Sequence, residues 1–408
     1  MDAPALRFRL VSSTPAAPDA TSLVDGVPAG ASPGRATLAG RDTYAPARPA
    51  QRVLQEAMPS QRHEDASSSD PVPLPRVAMA TLTGAGSHRL ALTQRIAFVM
   101  SPRIGDTLIS MVMVQNLVQA GYQVSIFSRH LHALRRWFPH FDIAPALDAA
   151  RVREVLTPFD VVLHAYAADV VGDVRSWHPC AWVMDEWPTY RQVKPMIDIQ
   201  LDVCRRDFGL EGLTRHNGME APAGTLAHVT PSLVIIHPTA SDPHKEWLPQ
   251  RFVRLARQLH ARGYDVQFVV EPRHVQQWRW IEAQGLRLVA HDSLDSLAAW
   301  ISGAGLFIGN DSGLAHLASN VGVPAISLAM RHRIALRWAP GWAPSEALTP
   351  LPLLPGRWAK ETLWKRFLPV SRVLAAVERL RHRVAHTARA FGPPKPQTKS
   401  VALDIQPR

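Results

Sequence analysis

A chain of 408 residues with 46% hydrophobic and 19% charged residues has an ordinary globular composition and the length for two sizeable cores. Two cysteines, Cys180 and Cys204, exclude a disulfide framework and a four-Cys zinc site, and no apolar run approaches the roughly 20 residues needed to cross a bilayer. The formal charge of +11 is uneven: residues 331–408 hold 15 Lys plus Arg against 4 Asp plus Glu, so residues 1–330 balance.

Residues 1–92 are rich in Ala, Pro, Ser and Gly, contain no Lys and show no sustained period, which predicts a disordered extension. A linker, a delivery or targeting leader, and an over-long start all fit it. The opening residues lack the basic start and apolar core of a secretory signal, and a reducing, cytoplasmic setting is expected.

Order is expected to begin at Arg95–Met100, an apolar strand, followed by the turn Ser101 to Asp106 and a helix from Thr107 to Ala120 that Gly121 stops. Asp106 is placed to cap that helix. Strand-type runs follow at Gln123–Phe127, Val161–Ala165 and Ala181–Met184. This reads as a first Rossmann-like domain over residues 93–230.

A second series repeats the logic over residues 231–370. Strands are expected at Leu233–Ile236, Val266–Val270, Leu286–Val289, Leu306–Ile308 and Ala325–Leu328. Helical patterns lie between them at Pro249–Ala261, Val275–Ala283, Leu294–Ser302 and Leu314–Val321. Strands alternating with helices at this spacing predict an α/β fold with parallel sheets, whose ligands sit beyond the carboxyl ends of the strands.

Asp106, the stretch from His237 to Lys245, and Asp311 all fall at such ends. Gly309-Asn310-Asp311-Ser312-Gly313 is a tight turn before a helix. There Asp311 or Ser312 is placed to cap, and Gly313 leaves room for a ligand to reach the unsatisfied first-turn N–H groups. Such a helix start suits an anion, most naturally a diphosphate, and His316 falls on the first turn beside it. Thr239 and Ser241 offer hydroxyls to phosphate oxygens.

Beyond Met330 the pattern loosens into a Pro-rich connection from Pro340 to Pro355. A last helix, residues 371–390, places Val373, Val377, Leu380 and Val384 on one stripe with Arg372, Arg379 and Arg383 largely off it. A basic outer face and a flexible tail, 391–408, are expected. The C-terminal charge suits an anionic surface or acceptor, with a solvated basic helix as the plainer explanation. Nucleic acid is not expected, because no aromatics interleave with the basic residues.

Three turns stand out together: Arg103-Ile104-Gly105-Asp106-Thr107, the run from His237 to Trp247, and Gly309 to His316. In that order and at those positions they resemble glycosyltransferase family 9, the heptosyltransferases that build the inner core of bacterial lipopolysaccharide. The resemblance covers about residues 94–330 and is strongest from 233 to 328.

It implies a GT-B fold, two Rossmann-like domains facing a cleft, with the donor nucleotide held mainly by the C-terminal one. It also implies inverting transfer without a metal or other cofactor, from a donor of the ADP-heptose type to an anionic, lipopolysaccharide-like glycolipid met at the inner membrane face. On that resemblance Asp106 matches the general base and Lys245 the lysine near the sugar and diphosphate. Asp311, Ser312, Gly313 and His316 match the donor-phosphate turn. The chain departs from the family at Glu271, displaced from the position of a ribose-binding glutamate, and at Arg331-His332-Arg333, which bears on sugar choice. A repurposed member that binds nucleotide sugar or a partner protein, and a GT-B-like sugar-nucleotide epimerase, are the alternatives.

Overall fold

Apolar strands alternating with covering helices close into two all-parallel sheets. The structure, a computed structural model, describes residues 90–165, 172–225, 229–351 and 363–391, all within one compact unit spanning Met79–Arg408. Most of the expected N-terminal extension and nearly all of the tail lie outside the described residues.

The first sheet holds β1 (Arg95–Val99), β2 (Gln123–Phe127), β3 (Asp142–Ala144), β4 (Val161–His164) and β5 (Ala181–Val183), in the order β3-β2-β1-β4-β5. The second holds β6 (Thr230–His237), β7 (Asp265–Val269), β8 (Arg287–Val289), β9 (Ala304–Asn310), β10 (Ala325–Leu328) and β11 (Ser345–Leu348), in the order β11-β10-β9-β6-β7-β8. Each sheet reverses its strand order next to its own first strand, the Rossmann arrangement. The crevice at that reversal is where such sheets take ligands. It falls at the ends of β1 in the first lobe and of β6 and β9 in the second.

Seven helices of seven residues or more are described: α1 (Ile104–Gln119), α2 (Met196–Arg206), α3 (Pro249–His260), α4 (Leu294–Ser302), α5 (Gly313–Asn320), α6 (His332–Trp338) and α7 (Val370–Phe391). α1 is buried on nearly every side because it lies between the lobes. One apolar cluster runs from Phe98, Met111 and Leu117 to Ile235, Phe307 and Leu317, so the two lobes share a core. Each such fully buried side chain contributes about 1.5–3 kcal/mol. A second cluster lies between the other face of the second sheet, α3 and α7.

Several elements depart from the sequence expectations. The chain between Pro340 and Pro355 is not all connection, since Ser345–Leu348 pairs with Ala325–Leu328 as an edge strand. The helix expected over Val275–Ala283 is a single α turn, Val275–Trp278, followed by a 3-10 stretch to Gln284 that ends at Gly285 with φ 73°. Trp278 dictates that break by turning inward to stack on Phe268, ring centroids 6.2 Å apart. On α7, Val373, Val377 and Leu380 are buried as the stripe requires, whereas Val384 is only half-buried. Its basic face is partly neutralised, because Arg379 and Arg383 pair with Glu346 of β11 and Arg381 lies over the Tyr264 ring at 5.3 Å.

Candidate functional site

The first turn leaves β1 and is knotted by hydroxyls. Thr107 Oγ1 donates to the carbonyls of Ser101 and Arg103 at 2.8 and 2.9 Å. The amide of Arg103 donates to Ser101 Oγ at 3.2 Å, and that hydroxyl donates to Asp106 Oδ2 at 3.3 Å. α1 begins at Ile104 with Arg103 as the capping position, so Asp106 does not cap the helix. It is the third helical residue, its side chain only 12% exposed, with the Arg103 guanidinium 3.7 Å away. Burial raises the pKa of its carboxyl above the ordinary 3.8, against the opposing pull of Arg103, Ser101 and Lys245.

The second turn leaves β6. Its first residue, His237, is fully enclosed: Nε2 meets Thr239 Oγ1 at 3.1 Å and Nδ1 meets Ser312 Oγ at 3.3 Å. Burial pushes the pKa of His237 down to about 3, so the ring is neutral. The turn is shaped by Glu246, whose carboxylate accepts the Ala240 amide at 3.0 Å. Asn310 ties it to β9, accepting from the Trp247 amide at 2.9 Å and donating to the Pro238 carbonyl at 2.7 Å. Trp247 itself is a packing residue, 1% exposed, its indole N–H donating to the Leu368 carbonyl at 3.0 Å. Lys245 closes a short 3-10 turn, Pro243–Lys245, and its Nζ lies 3.6 Å from Asp311 Oδ2.

The third turn joins β9 to α5. Ser312 holds the capping position with extended backbone, φ −144° and ψ 161°, yet neither it nor Asp311 supplies the expected side-chain cap. The reason is competition: the Ser312 hydroxyl is engaged with His237, and Asp311 faces Lys245. Asp311 is raised above 3.8 by burial, a shift that Lys245 opposes. His316 is buried, and desolvation lowers its pKa to about 4.

The turns meet where the two helix starts abut. A Cβ built on Gly313 would overlap Ile104 Cγ2 and lie 2.9 Å from the amide nitrogen of Gly105. One built on Gly105 would lie 2.9 Å from His316 Cδ2 and 3.3 Å from Gly313 Cα. The space over Gly313, expected to admit a ligand, is thus taken in this structure by the first turn of α1.

Of the residues singled out in the sequence, Asp106, Lys245 and Asp311 form one interacting charge group. Thr239 and Ser312 gather around His237, while Gly313 and His316 pack on Gly105. Ser241 stays exposed on its turn. Ser101, His237, Glu246 and Asn310 hold the turns together and had no assigned role. His237 ends an apolar run, and a polar residue there is the signal that could have singled it out. Glu271 is exposed just past β7, with Arg273 at 2.6 Å. Among the described residues no group of three or more His, Cys, Asp or Glu side chains is arranged to hold a metal ion.

Chemically, two carboxylates and an ammonium converge where opposed strand ends and two helix starts meet. A desolvated carboxylate is a stronger base than one in water, and the lysine offers a compact positive charge to a leaving anion.

Known proteins are similar to this chain in sequence and in fold. Residues 183–340 match the model of glycosyltransferase family 9 (heptosyltransferase), a stretch that includes Lys245 and the Asp311 turn but not Asp106. Lipopolysaccharide heptosyltransferase 3 of Escherichia coli is 33% identical over 137 residues, which cover 30% of this chain and 40% of that protein. The matched stretch therefore spans well under two thirds of that relative.

Among solved structures, a family 9 glycosyltransferase from Veillonella parvula superposes with a TM-score of 0.55 at 17% identity, covering 70% of this chain and 97% of that one. The E. coli ADP-heptose lipopolysaccharide heptosyltransferase II gives 0.55 at 17% identity, covering 71% and 99%. At such identity these likenesses establish the fold, a GT-B pair of Rossmann-like lobes. The fold, the motif turns and the match over residues 183–340 agree in their likeness to glycosyltransferase family 9.

Proposed function

We propose that this protein is an inverting, metal-independent glycosyltransferase that moves a heptose or related sugar from an ADP-type nucleotide sugar to a hydroxyl of a lipopolysaccharide core-like acceptor. The observation that carries the proposal is the convergence of Asp106 from the first lobe with Lys245 and Asp311 from the second. The family match and the heptosyltransferase relatives support the sugar class.

In the proposed reaction the Asp106 carboxylate takes the proton of the acceptor hydroxyl as its oxygen attacks the anomeric carbon. The carbon–oxygen bond to the diphosphate breaks on the opposite face, and the electron pair leaves with the diphosphate. Lys245 stabilises that charge, with the hydroxyls of Thr239, Ser241 and Ser312 as further donors. Asp311 positions Lys245, and Gly313 and His316 keep the helix start in place. No cofactor takes part.

The acceptor is proposed to be an anionic glycolipid, met at the inner face of the cytoplasmic membrane by a peripheral enzyme. Among the described residues no helix is long and apolar enough to cross a membrane.

The test is a thermal-shift panel of nucleotide sugars on the full chain, followed by transfer to a lipopolysaccharide-core acceptor. A ligand at 100 times its Kd raises stability by about 2.7 kcal/mol. A shift with ADP-heptose but not with UDP-sugars is expected, together with ADP release that depends on acceptor. Absence of any shift, or transfer unchanged in Asp106→Asn, sinks the proposal.

A further inference from the structure

A cavity of about 750 Å³ opens past the carboxyl ends of β10 and β11, lined by Met330 and by Thr349 to Leu351. The Asp311 amide donates to the Leu328 carbonyl at the end of β10, 2.9 Å away. The chain then runs through Met330 and Arg331 into α6, which forms one wall of the cavity. Arg191 and Val193 of the first lobe form another.

The lining is rich in guanidinium groups, from Arg191, Arg331, Arg333, Arg337 and Arg372, and no described lining residue is a carboxylate. Arg337 donates to the carbonyls of Gln192 and Tyr190 at 2.5 and 2.7 Å, which fastens α6 to the first lobe. Arg372 donates to the Thr349 carbonyl at 2.8 Å. Bonds to neutral carbonyls orient a guanidinium without cancelling its charge. Arg191 and Arg333 are exposed, and among the described residues neither forms an ion pair. On α7, by contrast, Arg379 and Arg381 have carboxylate partners in Glu346 and Glu378.

The rim of the cavity is apolar. Val193 is 53% and Leu351 39% exposed, and both line it.

Forked guanidinium groups match the oxygens of a phosphate ester, and an apolar rim around fixed positive charge suits an amphiphile whose polar head is anionic. We propose that this cavity binds a phosphate ester on the lipid-borne acceptor, with the reacting hydroxyl lying toward Asp106. The proposal rests on the transferase reading given above, and adds a second anion site to the donor turn. Two lobes build the cavity, so the bound phosphate bridges them.

The test compares the full chain with the Arg191→Ala variant, whose site is exposed and lies outside both the catalytic group and the Arg331-His332-Arg333 loop. Co-sedimentation is measured with vesicles of phosphatidylcholine alone, with added phosphatidic acid, and with phosphatidylserine at matched surface charge. Donor binding is read in parallel as the thermal shift with ADP-heptose, and the melting temperature without ligand reports folding. The expected result is binding to the phosphatidic acid vesicles above the other two, weakened about tenfold or more in the variant as charge-assisted bonds are lost. The donor shift is unchanged.

Equal binding by the variant and the wild type overturns the proposal, as does equal binding to phosphatidylserine. A rise in melting temperature with inorganic phosphate, measured as a further arm, without binding to any of the vesicles overturns the lipid-borne source. Loss of the donor shift in the wild type overturns the transferase reading instead, and it is recorded on a separate arm.

Discussion

Asp106 carries opposing demands. As the proposed base it works better with a raised pKa, and burial raises it, but the same burial penalises the charged carboxylate that the proposed reaction requires. A carboxyl whose folded value lies above its unfolded one binds its proton more readily when folded, so stability falls as pH rises through the interval between them. Asp106→Asn removes that penalty. The variant is expected to melt above the wild type at neutral pH, with the gap closing as pH falls below the ordinary carboxylate range, while kcat drops by roughly 10²–10⁴-fold. Differential scanning calorimetry across pH and a single-turnover transfer assay check the two halves. Lys245→Gln separates charge from shape: losing one preorganised stabiliser of the leaving diphosphate is expected to lower kcat by about 10²–10³-fold. Because Lys245 also opposes the upward shift of Asp311, the loss is expected to raise the Asp311 pKa further, which carboxyl NMR titration reads directly.

At the scale of elements, the junction of α1 and α5 is where the site is built. Gly313 is needed because Ile104 and Gly105 approach it too closely for a side chain. Gly313→Ala is expected to destabilise by about 1–3 kcal/mol through overpacking, and Ile104→Ala in the same chain should recover part of that, since the clash is with its γ-methyl. Urea midpoints of the single and double variants measure the coupling. If the glycine served only the conformation of the turn, the second substitution would bring no recovery. This contact also marks a boundary of what the sequence could reveal. The strands that build the switch points, β1, β6, β9 and β10, are apolar runs bounded by turn residues and were readable as such. β3 and β11 were not, because Asp142-Ile143-Ala144 and Ser345-Glu346-Ala347-Leu348 each hold a single large apolar residue, whereas the equally exposed edges β5 and β8 carry Trp182-Val183 and Leu288-Val289. The three turns were legible from their residue types. Their mutual packing was not, since a glycine facing a glycine across two lobes leaves no periodic trace, and neither does a hydroxyl that gives up capping for a buried histidine.

For the whole molecule, the shared core makes the junction a point where protonation unsettles both lobes. His237 and His316 are both buried at it, with desolvation holding them at about 3 and about 4. Each therefore stays neutral in the folded chain while its unfolded counterpart takes up a proton below about 6.5. Stability contributed by the neutral forms is fully present above that value and is lost as pH falls toward the folded values. For His316 the interval corresponds to roughly 3 kcal/mol at about 1.4 kcal/mol per unit. Asp106 and Asp311, raised from 3.8, work in the opposite sense, so the histidine contribution is read by comparing the wild type with a variant that lacks one ring. The urea midpoint of the wild type is accordingly expected to decline between pH 7 and pH 5, and His316→Gln, which has no proton to gain, should decline less steeply even if it starts lower. A parallel decline in the two proteins would place the acid sensitivity elsewhere. Because one apolar cluster spans both sheets, the loss should register simultaneously in tryptophan fluorescence and in far-UV circular dichroism, as a single cooperative transition.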